Sequence, residues 1–141
     1  MQCIRYEYDV DGENFASAGH ASESVKRTLK QMGVPAASVR RVAIAMYEGE
    51  INMVIHAHVG KAIAEIYPDH IDITLKDSGP GIADIELAMK AGYSTASENI
   101  RSLGFGAGMG LPNMKKYSDD MQIESTVGVG TTVTLRVNFE E

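Results

Sequence analysis

The stretch KAIAEIYPDHIDITLKD, residues 61–77, decides the fold. Two runs rich in apolar and β-branched residues flank Pro68-Asp69-His70, which reads as two strands joined by a short turn. So short a connection closes only an antiparallel pair, because parallel neighbours need a crossover of about a dozen residues or more. The pattern returns near the end of the chain. Residues 121–127 and 131–139 are strand-like, and Gly128–Gly130 forms the turn between them. Two tight hairpins exclude a doubly wound parallel sheet.

Upstream of the hairpin, CIRYEYDV at 3–10 alternates apolar and polar side chains, the period of a half-buried strand. Asp11-Gly12 breaks it. Residues 13–32 read as a helix with Val25, Leu29 and Met32 at helical spacing, ended by Gly33 and Pro35. Ser38 stands near the start of a second helix running to about Ala57, with Val39, Val42, Ala43, Met46, Met53 and Ala57 as its apolar stripe. Downstream, DSGPG at 77–81 ends the hairpin as a loop, and 84–91 form a short helix. Residues 92–106 are small, polar and glycine-rich, the composition of a mobile loop, and a helix over 108–117 follows. The order β α α β β α (loop) α β β, without repeat or linker, predicts a single domain over 1–141. Its expected class is α+β: a two-layer sandwich whose mixed, mostly antiparallel sheet carries helices on one face.

Composition removes several classes of function. The 141 residues carry 13 Lys+Arg against 19 Asp+Glu, a formal charge of −6, and no basic run. That balance is the reverse of what a nucleic-acid backbone attracts. No apolar run approaches the ~20 residues that span a bilayer, and the first ten residues are too charged for a secretory signal. Cys3 is the single cysteine, so no internal disulfide forms. A cytoplasmic protein without nucleic-acid or membrane partners is expected.

Four groups of residues could carry chemistry. Glu48, Asn52 and His56 recur at intervals of four on the second helix, largely off the apolar stripe, so they line one side. A carboxylate and an amide oxygen so placed suit a hydrated Mg²⁺, though a solvated helix face has the same pattern. LKDSGPGI at 75–82 fixes Asp77 at a strand end before two glycines. A carboxylate there can accept from an exocyclic amine such as adenine N6 and reject guanine, while the same residues also make an ordinary turn. RSLGFGAGMGLPNM at 101–114 places four glycines at alternate positions before a helix, a weak anion-site pattern that a flexible loop shares. It is neither a Walker loop nor a dinucleotide fingerprint. GVGTTV at 128–133 is a hairpin turn whose threonines could line a base pocket beside Asp77.

The order of these pieces is more specific than any one of them. An acidic–Asn helix, D-x-G-x-G, a G-x-G-x-G loop opening a helix, and G-x-G-T resemble the N, G1, G2 and G3 boxes of the GHKL ATPases, over roughly residues 36–139. That superfamily includes gyrase B, Hsp90, sensor histidine kinases and MutL. Within it the chain resembles the small bacterial anti-sigma and switch serine/threonine kinases of the RsbW/RsbT type. DSGPGIADIELAMKAGYSTAS and GAGMGLPNMKKYSDDMQIESTVGVGTTV are especially like the RsbT branch.

The resemblance implies a Bergerat-type ATPase domain and a kinase that uses ATP and Mg²⁺. Its acceptor would be a Ser or Thr of a small STAS-type antagonist, and the controlled partner a sigma factor or a PP2C-type phosphatase. Asn52 would ligate Mg²⁺ and Glu48 would be the general base. Asp77 would take adenine N6, with Gly79 and Gly81 shaping the pocket floor and Thr131 supporting it through water. Gly104, Gly106, Gly108 and Gly110 would form the ATP lid, and Arg101 would lie near the γ-phosphate. A non-catalytic, nucleotide-gated module that sequesters its partner is the alternative, and the resemblance leaves a homodimer open.

Two residues depart from the resembled pattern. Glu50 places a second carboxylate near the expected metal, and Gly49 costs the helix about 1 kcal/mol relative to Ala. His56 is expected to pack or cap. His58 does not join it in a metal site, since alternate residues on a helix face apart.

Overall fold

The computed structural model describes residues 3–11, 19–56, 59–79, 81–82, 85, 89 and 110–139. Five strands form one sheet: β1 (Ile4–Asp11), β2 (Val59–Ile66), β3 (His70–Asp77), β4 (Asp120–Thr126) and β5 (Gly130–Asn138). Among the described residues three full helices accompany them, α1 (His20–Gln31), α2 (Ala36–His56) and α3 (Gly110–Lys116). The strand order is β1-β2-β3-β5-β4, and every pairing is antiparallel. The α+β two-layer class expected from the sequence is therefore observed, with a sheet that is wholly antiparallel among the described residues.

Alternation along the strands explains the layering. On β3, Ile71, Ile73 and Leu75 are buried, and they sit in register with Val137, Leu135 and Val133 of β5. Ile66, Ala64 and Ala62 of β2 oppose the same three residues from the other side. A one-residue slip of any of these strands would turn its three residues to the opposite face, so burial fixes the register. That opposite face carries polar groups, among them Lys76, Thr74 and Asp72, with Arg136 making a two-point ion pair to Asp72.

Helix α2 contacts β1, β2, β3 and β5, and α1 and α3 each pack against it. Val39, Val42, Ala45, Met46, Ile51, Met53 and Val54 of α2 are all buried. Its apolar arc is wider than a single surface stripe because sheet and helices enclose it. A Cβ on Gly49 would strike the Leu75 side chain and lie 2.9 Å from Met114 Cε of α3. The glycine is therefore what lets α2 settle onto the sheet and α3 against α2, an advantage that outweighs its poor helix propensity.

The first helix begins later than the periodicity predicts. Gly19 is left-handed (φ 93°) and α1 starts at His20, while residues 12–18 fall outside the described set. Most of the helix expected at 84–91 and all of the loop expected at 92–106 also fall outside it. The Asp119 carboxylate joins α2 to β5 by accepting from Asn138 N–H (2.7 Å) and pairing with Arg41 (3.0 Å). Burial acts to raise its pKa, but those two contacts prevail and hold the carboxyl below its usual range.

Candidate functional site

The C-terminal half of α2 meets the end of β3. A Cβ on Gly60, the residue paired with Asp77, would lie 2.9 Å from Met53 Sδ and 3.3 Å from Asp77 Cβ. Asn52 and Asp77 are thus brought to one end of the sheet by neighbours that touch. Glu48 and Asn52, both half-buried, stand one helical turn apart, about 6 Å along the axis. His56 ends the same helix.

Asp77 is held by the backbone around it. Its Oδ1 accepts from Gly79 N–H at 2.9 Å, closing an Asx turn, and from Thr131 N–H at 3.2 Å on the paired strand. Among the described residues no hydrogen bond reaches Oδ2. The carboxylate is oriented through one oxygen, and Oδ2 retains the capacity to accept from a further donor.

Ser125 on β4 ties the loop after Asp77 to the β4–β5 hairpin. Its Oγ accepts from Ile82 N–H at 2.7 Å, donates to the Gly130 carbonyl at 3.2 Å and lies 2.8 Å from Thr131 Oγ1. A hydroxyl has one proton, and Gly130 takes it, so the Thr131 hydroxyl donates to Ser125. Gly81, with φ 80°, passes so close to Thr126 and Val127 that a side chain would meet their backbone, and Gly130 lies equally close to the Asp77 carbonyl. Three separate segments therefore converge largely through main-chain atoms.

Residues 37–141 match the family described as histidine kinase-, DNA gyrase B-, and HSP90-like ATPase. The chain belongs to this ATPase family. An anti-sigma F factor from Caldanaerobacter subterraneus subsp. tengcongensis is 32% identical over 124 residues, covering 81% of this chain and 83% of that protein. The serine/threonine-protein kinase RsbT of Bacillus subtilis is 30% identical over 112 residues, covering 77% and 78%. A crystal structure of RsbU and RsbW domains from Mycobacterium tuberculosis shares the fold at TM-score 0.66 and 14% identity. It matches 98% of this chain, which spans about a third (33%) of that longer one.

Of the residues expected at an ATPase site, Glu48, Asn52, Asp77, Gly79, Gly81, Gly110 and Thr131 are described, and Gly110 opens α3. Arg101, Gly104, Gly106 and Gly108 lie outside the described residues. The expected place of Glu50 is corrected. It is 3% exposed and turned toward α1, where Oε2 accepts from Gly19 and Ala21 N–H and Oε1 from Ser22 N–H, at 2.8, 3.2 and 3.0 Å. It caps a helix rather than adding charge beside Asn52. The buried stripe carries that signal, since position 50 falls four residues after Met46 and three before Met53. Ser125 is also absent from the sequence reading, yet it continues the inward row of Met121 and Ile123 on β4, where a polar side chain needs partners.

Proposed function

We propose that this ATPase-family chain is an ATP-dependent protein serine/threonine kinase. It transfers the γ-phosphoryl group to a Ser or Thr of a small STAS-type antagonist, and so acts in the cytoplasm as an anti-sigma or partner-switching regulator of a sigma factor or PP2C-type phosphatase. The observation that carries the reading is Asp77, a carboxylate locked through Oδ1 at the end of the sheet where α2 presents Glu48 and Asn52. The names of the relatives, an anti-sigma factor and a serine/threonine kinase, support the direction of the chemistry.

Asp77 Oδ2 accepts from the adenine amino group, which excludes guanine because its oxygen at that place has no proton to give. The donor set fits Mg²⁺: Asn52 offers an amide oxygen, a hard ligand that leaves room for waters. When bound, the cation neutralises charge on the phosphate oxygens. Glu48 receives the proton. As the acceptor hydroxyl oxygen bonds to the γ-phosphorus, the bond from phosphorus to the β–γ bridging oxygen breaks. ADP leaves with that electron pair, and the hydroxyl proton passes to the Glu48 carboxylate. The glycines at 104, 106 and 108 and Arg101 complete the proposal as lid and γ-phosphate contact, with Gly110 at the lid's end.

The test is transfer from γ-labelled Mg-ATP to purified STAS-domain proteins encoded near this gene. Label on a Ser or Thr is expected. Glu48→Gln keeps nucleotide affinity and lowers transfer by about 10²–10⁴-fold, the usual worth of a general base. Asn52→Ala loses Mg-ATP affinity by calorimetry. ATP-dependent binding without label would move the protein to the non-catalytic class, and full transfer by Glu48→Gln would remove the base.

A further inference from the structure

Helix α3 packs across α2 beside Gly49, burying Leu111 and Met114. The absence of a Cβ at Gly49 allows Met114 to come that close, and it brings the neighbouring Asn113 to the residue before Gly49. Asn113 Nδ2 lies 3.4 Å from Glu48 Oε1. The direction of this contact follows from chemistry. A carboxylate only accepts, so the amide must present its NH₂ group, and the opposite orientation would set two oxygens face to face.

We infer that Asn113 is a positioning residue for Glu48. This rests on the reading of Glu48 as the general base. The amide holds Oε1 and thereby fixes the rotation of the carboxyl plane, which leaves Oε2 as the oxygen that meets the acceptor hydroxyl. A half-buried glutamate otherwise samples several rotamers, and only some place an oxygen in line with a proton to be removed. Asn113 touches neither nucleotide nor acceptor in this scheme. Its action is confined to the proton-accepting group, so its loss falls on turnover and spares nucleotide binding.

Two measurements test the pairing. The first needs no acceptor protein. In ¹⁵N-labelled protein without nucleotide, the side-chain NH₂ resonances of Asn113 should move on Glu48→Gln, while those of Asn138 at the far end of β5 stay in place. Unmoved Asn113 resonances overturn the proposal. The second is transfer at saturating Mg-ATP to the acceptor labelled above. Asn113→Ala should lower the rate roughly tenfold, short of the 10²–10⁴ lost with the base itself, with nucleotide Kd unchanged. Asn113→Gln, which keeps the donor, should recover most of that loss. Added to Glu48→Gln, Asn113→Ala should cost nothing further.

An unchanged rate, a matching loss of nucleotide affinity, or an equal cost in both backgrounds overturns the positioning role. If Asn113→Ala fails to fold, the isosteric Asn113→Asp takes its place. It sets a second carboxylate against Glu48 and should transfer more slowly than wild type, and a wild-type rate overturns the role. Full transfer by Glu48→Gln sinks the base assignment and Asn113 with it. Loss of transfer in Glu48→Gln beside a normal Asn113→Ala sinks only the positioning.

Discussion

Replacing Glu50 with Gln changes one atom and should cost the protein much of its stability. Oε2 of Glu50 takes the N–H groups of Gly19 and Ala21, and Oε1 takes that of Ser22. A glutamine has one accepting oxygen. With that oxygen on the two-bond side, its NH₂ group confronts the Ser22 N–H, so one bond is lost and two donors oppose each other. A buried donor left without a partner costs about 1–3 kcal/mol. Loss of the negative charge at a helix start adds about 0.3–1 kcal/mol, since the first-turn N–H groups carry partial positive charge. The sum, roughly 1–4 kcal/mol, is a sizeable share of the 5–15 kcal/mol that typically holds a domain folded.

With a urea slope near 2 kcal/mol per molar, the unfolding midpoint followed by far-UV circular dichroism should fall by about 0.6–2 M. Glu50→Ala, which removes all three bonds, should fall further. A midpoint within about 0.2 M of wild type would refute the capping role. So would a changed Mg²⁺ dependence of nucleotide affinity in the folded Glu50→Gln protein, since that requires the carboxylate to face Asn52 rather than α1.

Two further outcomes follow from packing and charge. Gly49→Ala gains up to about 1 kcal/mol of helix propensity, but its methyl meets Leu75 and Met114. A net loss near 1–2 kcal/mol in thermal unfolding is expected, and a stabilised variant would contradict the close approach of α2, β3 and α3. Asp119 has a folded-state pKa below its unfolded value. The stability it confers is present above the unfolded carboxylate pKa of about 4 and is lost as pH falls through the lower folded value. The gap between wild type and Asp119→Ala, at most about 1 kcal/mol for a partly exposed group, should hold from pH 7 to about 4 and narrow below it. A gap unchanged at pH 2 would exclude that linkage.

The parts of the fold that were legible are those set by local periodicity. The hairpin over 61–77 and the β4–β5 pair were readable because alternation and turn residues lie within one short window. The start of α1 was not, because the capping group sits at position 50, far along the chain from Gly19. Glu50 shows the same limit from the other side. It reads as a second carboxylate near the metal, although its spacing from Met46 and Met53 puts it on the buried side of α2, and nothing local says which backbone supplies its donors. Gly49 read as a helix-weakening residue because its reason, Leu75 on another element, is tertiary. At the site, Asp77 and its glycines stood out as a contiguous motif. Ser125 and Asn113 did not, since each acts on a residue that only folding brings near.

The two carboxylates of α2 also set the rotational phase of that helix. Residues 48 and 50 are two positions apart, so their side chains leave the axis about 200° from one another. Glu50 is anchored at three points on the start of α1 and its N-cap Gly19, and a turn of the helix that swung Glu48 would have to tear that anchor away. The azimuth of Glu48 is therefore settled when the chain folds, before any nucleotide arrives. On the proposed reading of Glu48 as the base, binding has no helix rotation to perform, and the cost of aiming that carboxylate is carried by the folding equilibrium rather than by the reaction.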